Sequence, residues 1–228
     1  MILGKWSQLP ECMRTPEVEG YYKELKKKGF GLFLKRCFDI LVSLMLIIFL
    51  SPVMLGISIW IKLDSKGPVF FRQVRITMGG KEFRIFKFRT MVTDAEKLGT
   101  QVTVKADSRI TRSGQLLRKY RLDEIPQLFN VLAGDMSFVG TRPEVPRYVE
   151  QYTPEMWATL LLPAGITSEA SIEYKDEDTL LEGAEDVDKV YVEQVLPGKM
   201  KYNLKYLKEY GFWRDIRIML DTVLAVLR

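Results

Sequence analysis

The chain has 228 residues, is 47% hydrophobic and carries a formal charge of +5 with a pI near 9.1: enough for one sizeable core, too short for two full domains, and suited to an anionic partner such as nucleic acid, lipid head groups or a phosphorylated substrate. It contains no histidine, which excludes Ser-His and Cys-His nucleophile pairs, imidazole bases and histidine metal ligands, and leaves catalysis to carboxylates, Lys, Arg, Tyr or an oxygen-bound metal. Cys12 and Cys37 lie far apart without C-x-x-C spacing, so neither a disulfide framework nor a thiolate metal site is indicated and a reducing cytosolic setting fits.

Residues 1–30 read as an N-terminal extension, with Glu17 to Lys28 a charged helical stretch that is solvated or lies on a head-group surface. Residues 31–66 hold a membrane segment, since Ile40 to Ile61 is uncharged and long enough to be a transmembrane candidate. About forty residues precede it and no small-residue cleavage site follows, so a secretory signal fits poorly. Ser51-Pro52 falls at its middle, where proline removes a backbone donor and predicts a sharp bend. Basic residues flank both ends, Lys35 and Arg36 before, Lys62, Lys66, Arg72 and Arg75 after, so nothing orients a simple span. A re-entrant helix-break-helix satisfies both facts, with Ser51 able to bond a backbone group freed by Pro52.

Residues 67–228 read as a domain on the cytoplasmic face. Pro68 to Arg75 and Lys81 to Arg89 alternate apolar with basic residues around Met78-Gly79-Gly80, predicting a β-hairpin whose polar face carries Arg72, Arg84 and Lys87. Thr111 is placed to cap a helix from Arg112 to Tyr120, and a second helix is predicted from Asp123 to Leu132, ahead of Gly134. Helical patches follow at Pro146 to Tyr152 and Glu155 to Leu161, then a turn-rich stretch from Pro163 to Glu182. A last amphipathic helix runs from Phe212 to Arg228, with Trp213 suited either to a membrane interface or to packing on the core. The fold class is therefore α+β and mainly helical, with a re-entrant membrane segment, one small hairpin and amphipathic interfacial helices.

An aspartate at a helix start is ordinarily a cap, and a glutamate after it merely complements the dipole. Asp123 and Glu124 stand out through their company: Arg118 and Arg121 before them and Arg142 after them can surround a phosphate. Carboxylates among arginines beside a membrane suggest phosphoryl transfer.

These residues sit in motifs that resemble the monotopic phosphoglycosyl transferases, the bacterial sugar transferases that make polyprenyl-diphosphate-linked sugars. The resemblance is carried by Lys35-Arg36-x-Phe38-Asp39 ahead of Ser51-Pro52, Gly67-Pro-Val-Phe-Phe71, Lys87-Phe-Arg-Thr-Met91 and Leu122-Asp-Glu-Ile-Pro-Gln-Leu-Phe-Asn-Val-Leu-Ala-Gly-Asp-Met-Ser137. It is firm from Gly31 to Thr167 and recovers at Asp215 to Leu220. It implies that Asp123 is a nucleophile that attacks the sugar-linked phosphate of a UDP-sugar, expels UMP and forms a phosphosugar-aspartyl intermediate, which polyprenyl (undecaprenyl) phosphate then attacks. It further implies that Glu124 helps hold Mg2+, that Arg142 and Arg118 bind phosphate, and that Lys87 and Arg89 are further phosphate-binding candidates. Ser51 and Pro52 form the membrane-helix break. Asp215 matches an acidic position where salt-bridging is the commoner use. An aspartate among arginines is expected to stay ionised at pH 7 without a base.

The implied partners are a UDP-sugar, polyprenyl phosphate and the lipid bilayer, with homo-oligomer formation left open, at the bacterial inner (cytoplasmic) membrane. The chain departs from the family pattern at Thr141, which replaces the first proline of Gly-Pro-Arg-Pro, at Pro163-Ala-Gly-Ile-Thr-Ser168 and at Asn203. The alternative is a catalytically silent, membrane-anchored scaffold of the same pathway that recruits a partner or anionic lipid. Nucleic-acid binding is disfavoured by the uncharged intramembrane segment.

Overall fold

A computed structural model describes residues 3–93, 95, 107–180 and 186–227. The first helix, α1 (Pro16–Lys27), begins with proline and acidic Glu17 and Glu19 and ends with Lys26 and Lys27, an order that suits the helix dipole. Val18, Tyr21, Tyr22 and Leu25 lie at helical spacing on one face and are buried in the main core, so this charged stretch is solvated on one side only. The Tyr21 hydroxyl donates to Glu155 (2.5 Å) and Lys28 Nζ to the carbonyl of Tyr210 (2.8 Å), which fastens the N-terminal residues to the body.

The long apolar helix α2 (Gly29–Asp64) is continuous through Pro52, so the predicted break in helical structure does not occur. The reason is local. Pro52 cannot donate to the carbonyl of Ile48, and the Ser51 hydroxyl donates to that carbonyl instead at 2.8 Å. One stripe of α2 faces the body: Leu32, Lys35, Asp39 and Ser43, then Met54, Ile57 and Ile61 are buried. The opposite side exposes large apolar residues, among them Leu41, Leu44, Ile48, Phe49 and Leu55. Both ends of the helix grip the same body. Near the start, Arg36 donates to the carbonyls of Val131 (2.6 Å) and Leu132 (2.9 Å). At the end, Asp64 accepts from the backbone and hydroxyl of Ser113 at 3.0 and 2.8 Å.

The predicted hairpin forms from β1 (Phe70–Thr77) and β2 (Lys81–Phe88), paired from Phe70 with Phe88 to Thr77 with Lys81. Gly79 and Gly80 both take φ 71° in the turn, a conformation that favours glycine. The register corrects the predicted polar face. Arg84 and Lys87 are an odd number of residues apart and point to opposite faces; Lys87 shares its face with Gln73 and Arg75.

Helix α3 (Arg112–Lys119) is capped as predicted by Thr111, whose oxygen accepts from Gly114 N at 3.0 Å. The helix predicted from Asp123 divides into a single 3-10 turn, Leu122–Glu124, and α4 (Gln127–Ala133). Arg121 at φ 55° turns the chain sharply after α3, and Pro126 has no N–H, so α-helical bonding restarts behind it. The dyad therefore sits in a tight turn ahead of the α-helix.

Beyond Gly134 the chain forms β3 (Met136–Val139), α5 (Pro146–Val149), a 3-10 segment at Met156–Leu161 and β4 (Ala164–Thr167). The parallel pair β3–β4 is a second sheet that the sequence reading missed, because its strands are four residues long and buried without alternation. Short helices α6 (Glu169–Glu173), α7 (Glu177–Leu180) and α8 (Val187–Val190) lead through a π-turn at Tyr191–Val195 into α9 (Leu196–Lys208). Helix α10 (Phe212–Leu227) closes the chain with Asp215 and Ile218 buried and Trp213, Leu220 and Leu224 exposed. Arg228, expected in this helix, and Leu181 and Glu182 of the turn-rich stretch lie outside the described residues.

Candidate active site

Three elements converge on the Asp123-Glu124 turn. Asn130 of α4 docks the edge of β2: its Oδ1 accepts from Phe86 N at 2.8 Å and its Nδ2 donates to the Arg84 carbonyl at 3.1 Å. This fixes β2 against the helix that follows the dyad and brings Lys87 onto Glu124, with Nζ to Oε1 at 2.8 Å. The third element is the loop after β3. Gly140 N donates to the Thr167 carbonyl (3.0 Å), continuing the parallel pairing, and Gly165 N donates to the Thr141 carbonyl (2.9 Å) outside that register, so the loop folds back onto β4. The backbones approach so closely that a Cβ on Gly165 would lie 2.2 Å from Gly140 N. Arg75 of β1 donates to the Pro143 carbonyl at 3.0 Å, and Ile76 N to the Glu144 carbonyl at 3.0 Å. So clamped, the loop delivers Arg142 to Glu124, with one guanidinium nitrogen 2.6 Å from Oε1 and the other 3.4 Å from Oε2. Thr141 in place of proline does not prevent this reach.

The two carboxylates have unlike surroundings. Glu124 accepts from two cations, and despite its burial Arg142 and Lys87 hold its carboxyl well below the usual range. Asp123 is 8% exposed and its Oδ1 is buried without a hydrogen-bond partner among the described residues. Burial pushes its carboxyl above the ordinary value; Lys87, Arg118 and Arg121 pull it down and Glu124 adds to the rise. The cations thus favour ionisation of Asp123, but desolvation outweighs them. Burial lowers the Lys87 ammonium against the pull of Glu124, and Glu124 raises the Arg142 guanidinium.

The structure thus brings together Asp123, Glu124, Lys87 and Arg142, with Arg118 acting on Asp123 through its charge and its guanidinium making no hydrogen bond or ion pair among the described residues. Arg89 is placed elsewhere. Its buried guanidinium donates to the Ser65 carbonyl (2.8 Å), the Ser65 hydroxyl (3.0 Å) and the Lys66 carbonyl, tying β2 to the end of α2. These bonds make Arg89 a tie between β2 and the end of α2, while its Nε is buried with no hydrogen-bond partner among the described residues. Asp215 is bound to Lys35 at 2.6 Å and accepts from Tyr206 at 2.7 Å, the salt-bridging use anticipated for it. Arg75 and Asn130 were not singled out by sequence, since nothing in an alternating strand or a short helix marks which polar residue will face a loop. For a metal, the described residues hold no cluster of three ligating side chains. Two adjacent carboxylates, one with an unpartnered oxygen and one with Oε2 only distantly bonded, fit a hard cation that takes its other ligands from substrate phosphates.

A family described as bacterial sugar transferase matches residues 30–228. The chain is 38% identical over 199 residues to the UDP-N-acetylgalactosamine-undecaprenyl-phosphate N-acetylgalactosaminephosphotransferase of Aeromonas hydrophila, covering 86% of this chain and 44% of that protein. It is 37% identical over 222 residues to the UDP-glucose:undecaprenyl-phosphate glucose-1-phosphate transferase of Escherichia coli K12, covering 95% and 45%. A Caulobacter vibrioides protein of the same name is 34% identical over 196 residues, covering 85% and 69%. The chain spans less than half the length of the first two relatives.

Proposed function

Because the chain belongs to the bacterial sugar transferase family, we propose that it transfers a sugar-1-phosphate from a UDP-sugar to undecaprenyl phosphate, releasing UMP, through a covalent intermediate on Asp123. The observation that carries this reading is the buried, unpartnered Oδ1 of Asp123 beside a glutamate held by two cations. Buried polar atoms in a native fold nearly always have partners, and an orphaned carboxylate oxygen in a cationic pocket is suited to attack a phosphoryl group. Asp123 forms a bond to the sugar-linked phosphorus, the bond from that phosphorus to the bridging oxygen breaks, and UMP departs with the electron pair. The lipid phosphate then forms its bond to the same phosphorus and Asp123 leaves as a carboxylate. Arg142 and Lys87 neutralise phosphate charge and hold Glu124 in place, and Arg118 adds positive potential. Mg2+, held by Glu124 with substrate phosphates, would supply further neutralisation of the diphosphate.

The same reading places the chain at the bacterial cytoplasmic membrane, with its site on the cytoplasmic face. Helix α2 supports it: its body-facing stripe and open apolar face suit a helix that enters the bilayer while both ends remain on one side. Purified protein with Mg2+, undecaprenyl phosphate and each of a panel of UDP-sugars should release UMP with one donor, and intact-mass analysis without acceptor should show the added sugar phosphate. Asp123→Asn should abolish both signals. Wild-type turnover in that variant would remove Asp123 as nucleophile, and no UMP from any donor would favour the scaffold.

A further inference from the structure

Glu144 stands two residues beyond Arg142 in the loop after β3, and its side chain is only 7% exposed. Its carboxylate is held from α9 and the turn before it. Tyr191, the first residue of the π-turn, donates its hydroxyl to Glu144 Oε1 at 2.6 Å. Lys199 of α9 donates to the same hydroxyl at 3.1 Å and to Glu177 Oε2 of α7 at 3.0 Å. Its buried ammonium lies 3.7 Å from Glu144 Oε1. The tyrosine hydroxyl thus gives one bond and accepts one, which fixes its direction and that of the carboxylate it meets. The loop also has two backbone ties to β1, the Pro143 carbonyl to Arg75 and the Glu144 carbonyl to Ile76 N. The carboxylate adds a tie to a different part of the fold.

A buried ion pair is an ineffective way to stabilise a loop, since well-packed apolar side chains often serve as well or better. This one has a further effect. Glu124 raises the Arg142 guanidinium most, and Glu177 and Glu144 add to it, so both of these carboxylates lie within electrostatic reach of the arginine. Released from Tyr191 and Lys199, Glu144 would compete with Glu124 and with an arriving phosphate for that guanidinium.

We infer that Glu144 is a positioning residue: held by Tyr191 and Lys199, its carboxylate sets where Arg142 stands when the diphosphate of the UDP-sugar arrives. This deepens the proposed function and rests on the phosphate role given there to Arg142. Misplacing a substrate-binding group by about 1 Å can cost on the order of 100-fold in rate.

Tyr191→Phe removes the hydroxyl and keeps the ring against Tyr148, whose centroid lies 4.7 Å away, so this variant should fold. Glu144→Ala removes the tie outright. At a temperature well below the Tm of each variant, kcat/KM for UMP release should fall roughly tenfold in Tyr191→Phe and on the order of 100-fold in Glu144→Ala. In an Arg142→Gln background Tyr191→Phe should cost nothing further, because the tie then has no arginine to place. Additive losses, or Tyr191→Phe within twofold of wild type, would overturn the assignment. Hydrogen exchange reads the tie without any turnover. The Ile76 amide, bonded to the Glu144 carbonyl, should exchange about tenfold faster in both variants, while the Gln115 amide in α3 keeps its wild-type rate. Unchanged exchange at Ile76 would overturn the assignment even in an active enzyme. Faster exchange there, with no UMP from the wild type and any UDP-sugar, would leave the tie standing and remove the proposed function instead.

Discussion

Folding holds the Asp123 carboxyl above its ordinary value, because its desolvation outweighs the attraction of Lys87, Arg118 and Arg121. A carboxyl raised above its ordinary 3.8 by folding binds a proton more tightly in the folded than in the unfolded chain. Its contribution to stability is complete below the unfolded value and is lost as pH rises through the folded one. Asp123→Asn removes that loss. The Tm advantage of the variant over the wild type should be near zero in acid and grow towards neutral pH, while UMP release disappears. Thermal unfolding from about pH 4 to pH 8 checks this, and an advantage that shrinks with rising pH would mean that the cations, not burial, dominate at Asp123. Glu124 behaves oppositely: with Arg142 and Lys87 holding its carboxyl low, its pairing is kept at neutral pH and lost only as pH falls through that lowered value.

At the scale of elements, the site depends on two backbone junctions far from one another in sequence. The loop bearing Arg142 is held where Gly140 and Gly165 meet, and a Cβ on Gly165 would lie 2.2 to 2.6 Å from the nitrogen, oxygen and carbonyl carbon of Gly140. Gly165→Ala must push the strands apart, with an expected cost of about 1–3 kcal/mol or more from overpacking and a larger loss of activity as Arg142 leaves Glu124. Denaturant unfolding with parallel UMP assays measures both, and an unchanged midpoint would show that the strands can part freely. Asn130 is the second junction. Asn130→Ala strips partners from Phe86 N and the Arg84 carbonyl, at an expected cost of about 1–3 kcal/mol, and should loosen Lys87 from Glu124. The long apolar helix α2 reaches the site in the same way, since Arg36 bonds the last carbonyls of α4 and Asp64 holds the start of α3.

Over the whole molecule, α2 is joined to the C-terminal helix by a buried ion pair, Lys35 with Asp215, each side chain less than 5% exposed. Removing one partner strands a buried charge. Lys35→Met should cost about 3–5 kcal/mol, and adding Asp215→Asn should recover part of it, because an amide needs no cation and can still accept from Tyr206. A single-variant cost below about 1 kcal/mol, as for exposed pairs, would show that water reaches the pair. The sequence by itself determined the long apolar helix, the hairpin, the capped α3 and the Asp123-Glu124 pair, because each is written in contiguous residues: an apolar run, an alternation, a Thr cap, a motif. The continuity of α2 through Pro52 was not legible, since the proline predicted a break; only the bond from Ser51 to a carbonyl freed by Pro52 was anticipated. Only the tertiary structure decided that Lys87 and Arg142 converge on Glu124, that Arg89 is a structural tie, that Arg75 and Asn130 position the site, and that β3 and β4 form a sheet. Those outcomes depend on which buried donors and acceptors from distant segments find one another, and local pattern carries no record of that.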